Sequence, residues 1–187
     1  MAMTMEQKPL LPLISFTGKT HLITKDSELA VFADELKSAT ELGFDTETRP
    51  SFKKGESYLP ALLQLATTDT AYLIRLHDIK NFEVLKEIFE NETVLKTGVA
   101  IKHDLKQLQM RFKFAAKNFV ELQDLAKKKN LQNFGLQGMT EEVLAGRLSK
   151  RAKITNWETP TLTAPQLLYA ATDAWVGLVL YKKLIAD

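Results

Sequence analysis

The sequence predicts an α/β domain built on one mixed sheet of about five strands flanked by helices. Two patterns support this fold class. Three apolar, β-rich stretches lie close together between residues 41 and 76, as in an antiparallel meander. Beyond them, apolar strands alternate with amphipathic helices, which is typical of parallel strands joined by right-handed crossovers.

The first half of the chain contains the meander. Residues 21–24 predict a short first strand, and residues 27–38 carry apolar side chains at helical spacing, with Ser27 available as an N-cap. The strands of the meander follow at 41–47, 61–67 and 71–76, with a polar turn at 67–70.

The second half predicts alternating elements and then helices. The alternating part consists of helix 82–90, strand 94–101, helix 104–113 and strand 118–122. Shorter helices are predicted at 124–130 and 139–145, and a long one from Pro165, a favoured first-turn residue, to Ile185. A basic, irregular stretch, 147–161, precedes this last helix. We therefore expect an N-terminal tail over residues 1–20 and a single domain over 21–187.

Composition limits the classes of function. Lys and Arg number 25 against 23 Asp and Glu, so attraction to a polyanion must come from local groups. The absence of cysteine excludes a disulfide framework, a thiol nucleophile and a thiolate zinc site, which leaves oxygen or imidazole ligands for any metal. The sequence shows neither a secretory signal pattern nor an apolar run of ~20 residues. We expect a cytoplasmic enzyme that does not contact membranes.

Four carboxylates lie in places where the pattern is apolar. Asp45 and Glu47 are two residues apart in a strand and share one face, although a solvated strand end is an alternative. Asp104 follows a strand and opens a helix, where an acidic residue is ordinarily an N-cap or a partner of the helix dipole, and capping is the simpler explanation. Asp173 is the only charged residue between Leu167 and Tyr181, and a buried carboxylate requires a partner, for which a cation is suited.

A cluster of these carboxylates would be suited to phosphoryl transfer. Mg²⁺ prefers carboxylate and water oxygens, and two such ions roughly 3.5–4 Å apart can hold both the attacking and the leaving oxygen of a phosphodiester. Tyr169 lies one helical turn before Asp173 and therefore on the same face.

Three segments resemble the motifs of the DEDD superfamily of 3′-5′ exonucleases: D-T-E at 45–47, G-V-A-I-K-H-D-L at 98–105 and Y-A-A-T-D-A at 169–174. The segments between them, such as L-L-Q-L-A-T at 62–67 and V-E-L-Q-D-L-A at 120–126, are similar to the ribonuclease D and Werner-type branch. The resemblance covers nearly everything from Ile23 to Leu184.

The resemblance implies a ribonuclease H-like fold and a metal-dependent exonuclease acting on the 3′ ends of DNA or RNA. It implies that two Mg²⁺ or Mn²⁺ ions are bound by Asp45, Glu47, Asp104 and Asp173, and that Tyr169 orients the attacking water. Tyr169 indicates the tyrosine subclass, because the histidine subclass would have a histidine where this chain has Leu168. Ala100 replaces the asparagine usual in proofreading domains, which favours the ribonuclease D-like branch.

Substrate contacts are expected from local cations. Thr46 and three residues of the basic stretch are assigned to substrate binding: Lys150, Arg151 and Lys153. Arg49, Lys53 and Lys54 form a second basic loop, whereas Lys127 to Lys129 are interpreted as solvated surface. Trp157 either stacks on a base or anchors its loop.

Two other functions remain open from the sequence. One is a catalytically inactive nucleic-acid-binding domain of the same fold, although none of the four expected metal ligands is missing. The other is a ribonuclease H-type endonuclease, against which Tyr169 argues. Protein partners are not indicated by any motif.

Overall fold

The computed structural model describes residues 11–186, which form an α/β domain around a mixed sheet. This confirms the predicted fold class. Within the described residues the sheet has six strands rather than about five, because all six stretches predicted as strands pair in it. The strands are β1 (Lys19–Ile23), β2 (Glu41–Glu47), β3 (Leu62–Ala66), β4 (Thr70–Arg75), β5 (Leu95–Gly98) and β6 (Phe119–Glu121).

The order of the strands is β1-β4-β3-β2-β5-β6. Strands β2, β3 and β4 are antiparallel neighbours, as the meander predicts, whereas β5 and β6 continue the sheet in parallel with β2. Because β2 and β5 are parallel, their C-terminal ends lie at the same edge of the sheet. Side chains that follow these two ends therefore come close together.

The helices cover both faces of this sheet. They are α1 (Asp26–Val31), α2 (Ala33–Ser38), α3 (Glu83–Glu90), α4 (Ile101–Arg111), α5 (Leu122–Lys128), α6 (Leu136–Leu144) and α7 (Ala164–Ala186). The single helix expected at 27–38 is divided at Phe32, which has φ −97° and ψ 1°. Its ring packs against His21 and Tyr72, with centroids 4.5 and 5.3 Å apart. The N-cap of α1 is Lys25 rather than Ser27.

Helix α7 lies directly on β2, and this contact positions the C-terminal part of the chain. A side chain at Gly43 of β2 would overlap the carbonyl oxygen of Ala174, so glycine permits this close approach. The facing side of α7 is lined by small buried residues, Ala170, Ala171 and Ala174. Asp173 is thereby brought over the end of β2.

Part of the segment expected as a tail packs on the domain. Residues 1–10 lie outside the described residues, but Phe16 is buried and its backbone N–H donates to Thr172 Oγ1 at 3.0 Å. The N–H of Ile14 donates to the carbonyl of Arg147 at 2.9 Å. Strand β1 begins at Lys19, so a domain boundary at residue 21 would fall within packed structure.

A membrane-crossing helix requires both length and a sustained apolar composition. None of the helices within residues 11–186 meets both requirements.

Candidate active site

Asp45 and Glu47 lie at the C-terminal end of β2, on the face that contacts α7. Their alternation with Thr46 puts both carboxylates on the same side of the strand. The backbone N–H of Thr46 donates to Asp45 Oδ1 at 2.8 Å, which fixes the orientation of that carboxylate.

Asp173 of α7 completes a group of three carboxylates. One oxygen from each of Asp45, Glu47 and Asp173 can be chosen so that all three lie within 4.8 Å of one another. This spacing, together with the oxygen-only donor set, fits a hard divalent cation. The sequence predicted that these residues share a site, and the fold brings them together.

Asp104 approaches the same group from α4. The helix begins at Ile101, and its N-cap is Ala100 in the left-handed conformation, with φ 58°. Asp104 therefore lies in the first turn, so the N-cap explanation for it is wrong, whereas its position agrees with that of a partner of the helix dipole. Its charge raises the pKa of both Asp45 and Glu47, which makes it the fourth member of the cluster, outside the group of three.

Burial raises the pKa of every carboxyl group in the cluster, and the charges of neighbouring carboxylates add to the shift at Asp45 and Glu47. Burial raises the pKa of Glu47 to about 10 and that of Asp173 to about 7. The pKa of Asp45 rises well above its usual range through burial and the charges of Asp173 and Asp104. Burial also raises the pKa of Asp104 to about 6, although the neighbouring Thr46 side chain opposes the shift. Such a cluster must hold either protons or cations.

Tyr169 points into the cluster as a hydrogen-bond donor. Its hydroxyl bonds with the Asp173 carboxylate one helical turn away, which lowers the pKa of Asp173. Burial and the carboxylate charges raise the pKa of Tyr169 itself well above its usual value. The hydroxyl therefore stays protonated at neutral pH and can orient a polar group but cannot act as a free base.

Trp157 anchors the basic loop. Its side chain is 1% exposed, and its ring lies 6.1 Å from the ring of Tyr169. This burial excludes base stacking and supports the loop-anchor interpretation. Gln166 holds the same loop, since its Nε2 donates to Thr155 Oγ1 at 3.1 Å and to the Asn156 carbonyl at 3.4 Å.

Two grooves meet at the carboxylates, and Ser149, Tyr169 and Asp173 line both. The first, of about 440 Å³, is here termed the α4–α6 groove and is lined by residues including Ala100, Gly135, Gln137, Gly138, Lys150 and Lys153. The second, of about 520 Å³, is termed the α7 groove and is lined by residues including Leu13, Ile14, Arg147, Arg151, Pro165 and Leu168.

The basic residues differ in whether their side chains are exposed at the grooves or already paired with another side chain. Lys150, Arg151 and Lys153 are exposed at the grooves, and the charge of Lys153 lowers the pKa of Glu47 and Asp173. Arg49, in contrast, pairs with Glu158 at 3.3 Å and lies 4.7 Å from the Tyr58 ring centroid.

Thr46 and Arg147 also lie near the site, and the side chain of each is next to another group of the protein. The Thr46 side chain lies beside Asp104, so its assignment to substrate binding stays a prediction. Arg147 lines the α7 groove, but its Nε donates to the Leu11 carbonyl at 3.1 Å.

Sequence reasoning missed Glu121. This buried carboxylate at the end of β6 accepts the backbone N–H groups of Ala100 and Ile101, both at 2.8 Å. It thereby satisfies the free donors at the start of α4, the helix that carries Asp104. An acidic residue at the end of a strand-like stretch, 118–122, was the available signal.

Known proteins share this sequence and fold. A family model described as 3′-5′ exonuclease matches residues 20–186. The chain is 34% identical over 184 residues to the mouse bifunctional 3′-5′ exonuclease/ATP-dependent helicase WRN, covering 93% of this chain and 13% of that protein. It is 35% identical over 152 residues to an Arabidopsis thaliana 3′-5′ exonuclease, covering 76% of this chain and 52% of that protein.

The same fold is found in a solved structure. The crystal structure of Escherichia coli RNase D superposes with a TM-score of 0.82 at 26% identity, covering 90% of this chain and 44% of that one. The chain thus spans about half or less of the length of each of these three relatives.

Proposed function

The chain belongs to the 3′-5′ exonuclease family, and we propose that it hydrolyses the phosphodiester bond at the 3′ end of DNA or RNA and releases nucleoside monophosphates. One observation carries the proposal. Four carboxylates converge at the point where two grooves meet, and a tyrosine hydroxyl points at them. This arrangement accommodates a strand end with its last phosphodiester at the carboxylates.

We propose two Mg²⁺ or Mn²⁺ ions as cofactors. Asp45, Glu47 and Asp173 would hold one ion, since their oxygens lie within 4.8 Å of one another. Asp104, which interacts electrostatically with Asp45, would share the second. Ions of this kind activate a water and neutralise charge that develops on the phosphoryl oxygens. The raised pKa values fit this role, because a divalent cation relieves the repulsion that otherwise favours protonation.

Tyr169 has the position and protonation state to orient the attacking water. Its hydroxyl donates to Asp173 in the described structure, so it is already directed at the reacting centre. Because burial keeps the hydroxyl protonated, it acts through hydrogen bonding. Its neighbour Trp157 fixes the ring by packing beneath it.

Lys150, Arg151 and Lys153 would hold the cleaved phosphate and the phosphates on its 5′ side. Lys150 and Lys153 line the α4–α6 groove, and Arg151 lines the α7 groove. Their flexible, exposed side chains can contact phosphates without touching the reacting atoms. The buried Trp157 and the bonds of Gln166 keep the base of this loop fixed beside the cluster.

A panel of labelled strands tests this function. Single- and double-stranded DNA and RNA, each labelled at the 5′ end, are incubated with Mg²⁺, Mn²⁺ or excess chelator. We expect a ladder of shortened products with either metal and none with chelator, and none from Asp45→Asn. Intact strands under every condition, with retained binding, would instead support an inactive nucleic-acid-binding domain. Full activity in chelator would contradict the metal requirement.

A further inference from the structure

A basic surface with an exposed aromatic ring borders the α4–α6 groove. It consists of four lysines on α4 and α5, the lysine that directly follows α5 and one phenylalanine, here termed the α4–α5 patch: Lys102, Lys106, Lys127, Lys128, Lys129 and Phe134. We propose that this patch binds the substrate strand several nucleotides to the 5′ side of the cleaved bond. The inference rests on the proposed function and adds to it an extended site for the strand.

The patch adjoins residues that line the α4–α6 groove. Ala100 and Gly135 line the groove, Lys102 follows Ala100 by two residues, and Phe134 directly precedes Gly135. Helix α5 joins the same surface, because Lys102 Nζ lies 3.5 Å from Asp124 Oδ2. A strand whose 3′ end occupies the carboxylate cluster can therefore leave through the groove directly onto the patch.

The charge of the patch is matched to phosphates. Among residues 11–186, Asp124 is the only carboxylate that pairs with these lysines, at 3.5 Å from Lys102 and 3.9 Å from Lys127. All three side chains are more than half exposed, so these ion pairs are weak and exchange easily for phosphate contacts. With Glu142 at the turn before Phe134, two carboxylates against five ammonium groups still leave a local positive surplus on a chain whose net charge is only +2.

Phe134 is held in an exposed position. Its side chain is 38% exposed, and Lys127 Nζ lies 5.8 Å from its ring centroid. The preceding turn is fixed by Glu142, whose carboxylate accepts the N–H of Gln132 at 2.9 Å and that of Asn133 at 3.1 Å. A fixed aromatic ring beside lysines is the combination that stacks a nucleobase while cations hold its phosphate.

The α7 groove offers a poorer path for a phosphate backbone. Its walls include Leu13, Ile14, Pro165 and Leu168, and one of its two arginines, Arg147, already donates to the carbonyl of Leu11. Apolar walls favour a base or sugar over a charged backbone. Charge complementarity therefore directs the 5′ part of the strand along the α4–α6 groove and the patch.

A strand-length series tests the proposal. The triple variant Lys127→Gln/Lys128→Gln/Lys129→Gln is compared with wild type on single strands of ~4 and ~20 nucleotides. We expect KM to rise about tenfold on the long strand and less than twofold on the short one, with kcat unchanged. The slope of log KM against log salt should fall by about 2, since each phosphate contact on a single strand contributes ~0.7.

A charge-matched control comes from the opposite edge of the sheet. Lys19, Lys25 and Lys80 are exposed lysines near β1, and their triple replacement by glutamine removes the same charge far from β6 and α5. We expect this control to leave the dependence of KM on strand length unchanged. The proposal would be overturned if the two triple variants raised KM equally. It would also be overturned if the patch variant raised KM equally on the short and the long strand.

Binding measurements separate this inference from the proposed activity. In an Asp173→Asn background, fluorescence anisotropy of labelled strands measures affinity without turnover. Adding Phe134→Ala should weaken binding of a 20-nucleotide strand about tenfold. The affinity for an abasic version of the same strand should change by less than about twofold. Failure of the wild type to cleave any strand would refute the activity alone. Equal anisotropy losses on intact and abasic strands would refute stacking on Phe134.

Discussion

Neutralising Asp173 should stabilise the protein when metal is absent. The folded-state pKa of this carboxyl is raised to about 7 from its usual 3.8, so the folded state binds a proton that the unfolded state has lost. Stability therefore falls as pH rises from about 4 to about 7. A difference of about three pKa units corresponds to roughly 4 kcal/mol at most. Nearby solvent reduces this upper limit, so we expect Asp173→Asn to gain about 1–3 kcal/mol at pH 8.

Thermal unfolding in chelator measures this gain. About 1–3 kcal/mol corresponds to a rise in Tm of roughly 2–12 °C for a chain of this size. The rise should shrink as pH approaches 4, where Asp173 is protonated in both states. With Mg²⁺ at a thousandfold excess over Kd the order should reverse, because only the wild type gains the full binding free energy of about 4.1 kcal/mol. Asp34→Asn, an exposed carboxylate on α2, is the control and should change stability by less than about 0.5 kcal/mol.

Two outcomes would refute this reasoning. If Asp173→Asn melted below wild type in chelator at pH 8, favourable contacts of the carboxylate would outweigh the cost of burying its charge. If Mg²⁺ raised the Tm of the variant as much as that of wild type, Asp173 would not be a metal ligand.

Four further predictions concern single features of the site and of the fold. Tyr169→Phe should retain Mn²⁺ affinity by calorimetry while kcat falls ~10²–10⁴-fold, and turnover within about twofold of wild type would contradict the role of its hydroxyl. Lys150→Gln/Arg151→Gln/Lys153→Gln should raise KM more than it lowers kcat and flatten the salt dependence; an unchanged slope would leave these residues without phosphate contacts. Apparent Mg²⁺ affinity should rise with pH through about 7, as Asp173 loses its proton, and a flat titration curve from pH 6 to 8 would argue against it. Lys96→Met should lower stability by about 2–4 kcal/mol in urea unfolding, because the buried Nζ donates to three backbone carbonyls; a loss below about 0.5 kcal/mol would show that those carbonyls are otherwise satisfied.

Three of the carboxylates were predictable as candidates because their sequence surroundings are apolar. Asp173 interrupts a helix of Leu, Ala, Val and Trp, and Asp45 and Glu47 share one face of a strand. The resemblance to the three exonuclease motifs then distinguished that pair from a solvated strand end. The strands of the meander and the alternating strands and helices of the second half were also predictable, because turn residues and periodicity are local signals. The fold class and the elements that carry the motifs follow from these patterns.

Features that depend on tertiary contacts were not predictable. Ala100 takes a left-handed N-cap position because Glu121, some twenty residues later, accepts its N–H and that of Ile101. Asp104 consequently lies inside the helix rather than at its cap. Trp157 gave no sequence signal that distinguishes a base platform from an anchor, and only its packing beneath Tyr169 decides the question.

The meaning of a charged run also depends on its neighbours in space. Lys127 to Lys129 resemble ordinary solvated surface in the sequence. Their relation to Lys102 and Phe134 becomes visible only when α4, α5 and the turn before α6 are brought together. The patch proposed here is therefore a product of topology, which periodicity does not encode.

The most direct test of the central claim compares a covalently closed single-stranded circle with the same strand cut once. Both are incubated with the wild type and Mg²⁺, and products are resolved at single-nucleotide resolution from the first time points. A 3′-5′ exonuclease should leave the circle intact and shorten the linear strand from its 3′ end, with mononucleotides as the initial product. Cleavage of the circle, or early internal fragments from the linear strand, would contradict the exonuclease assignment.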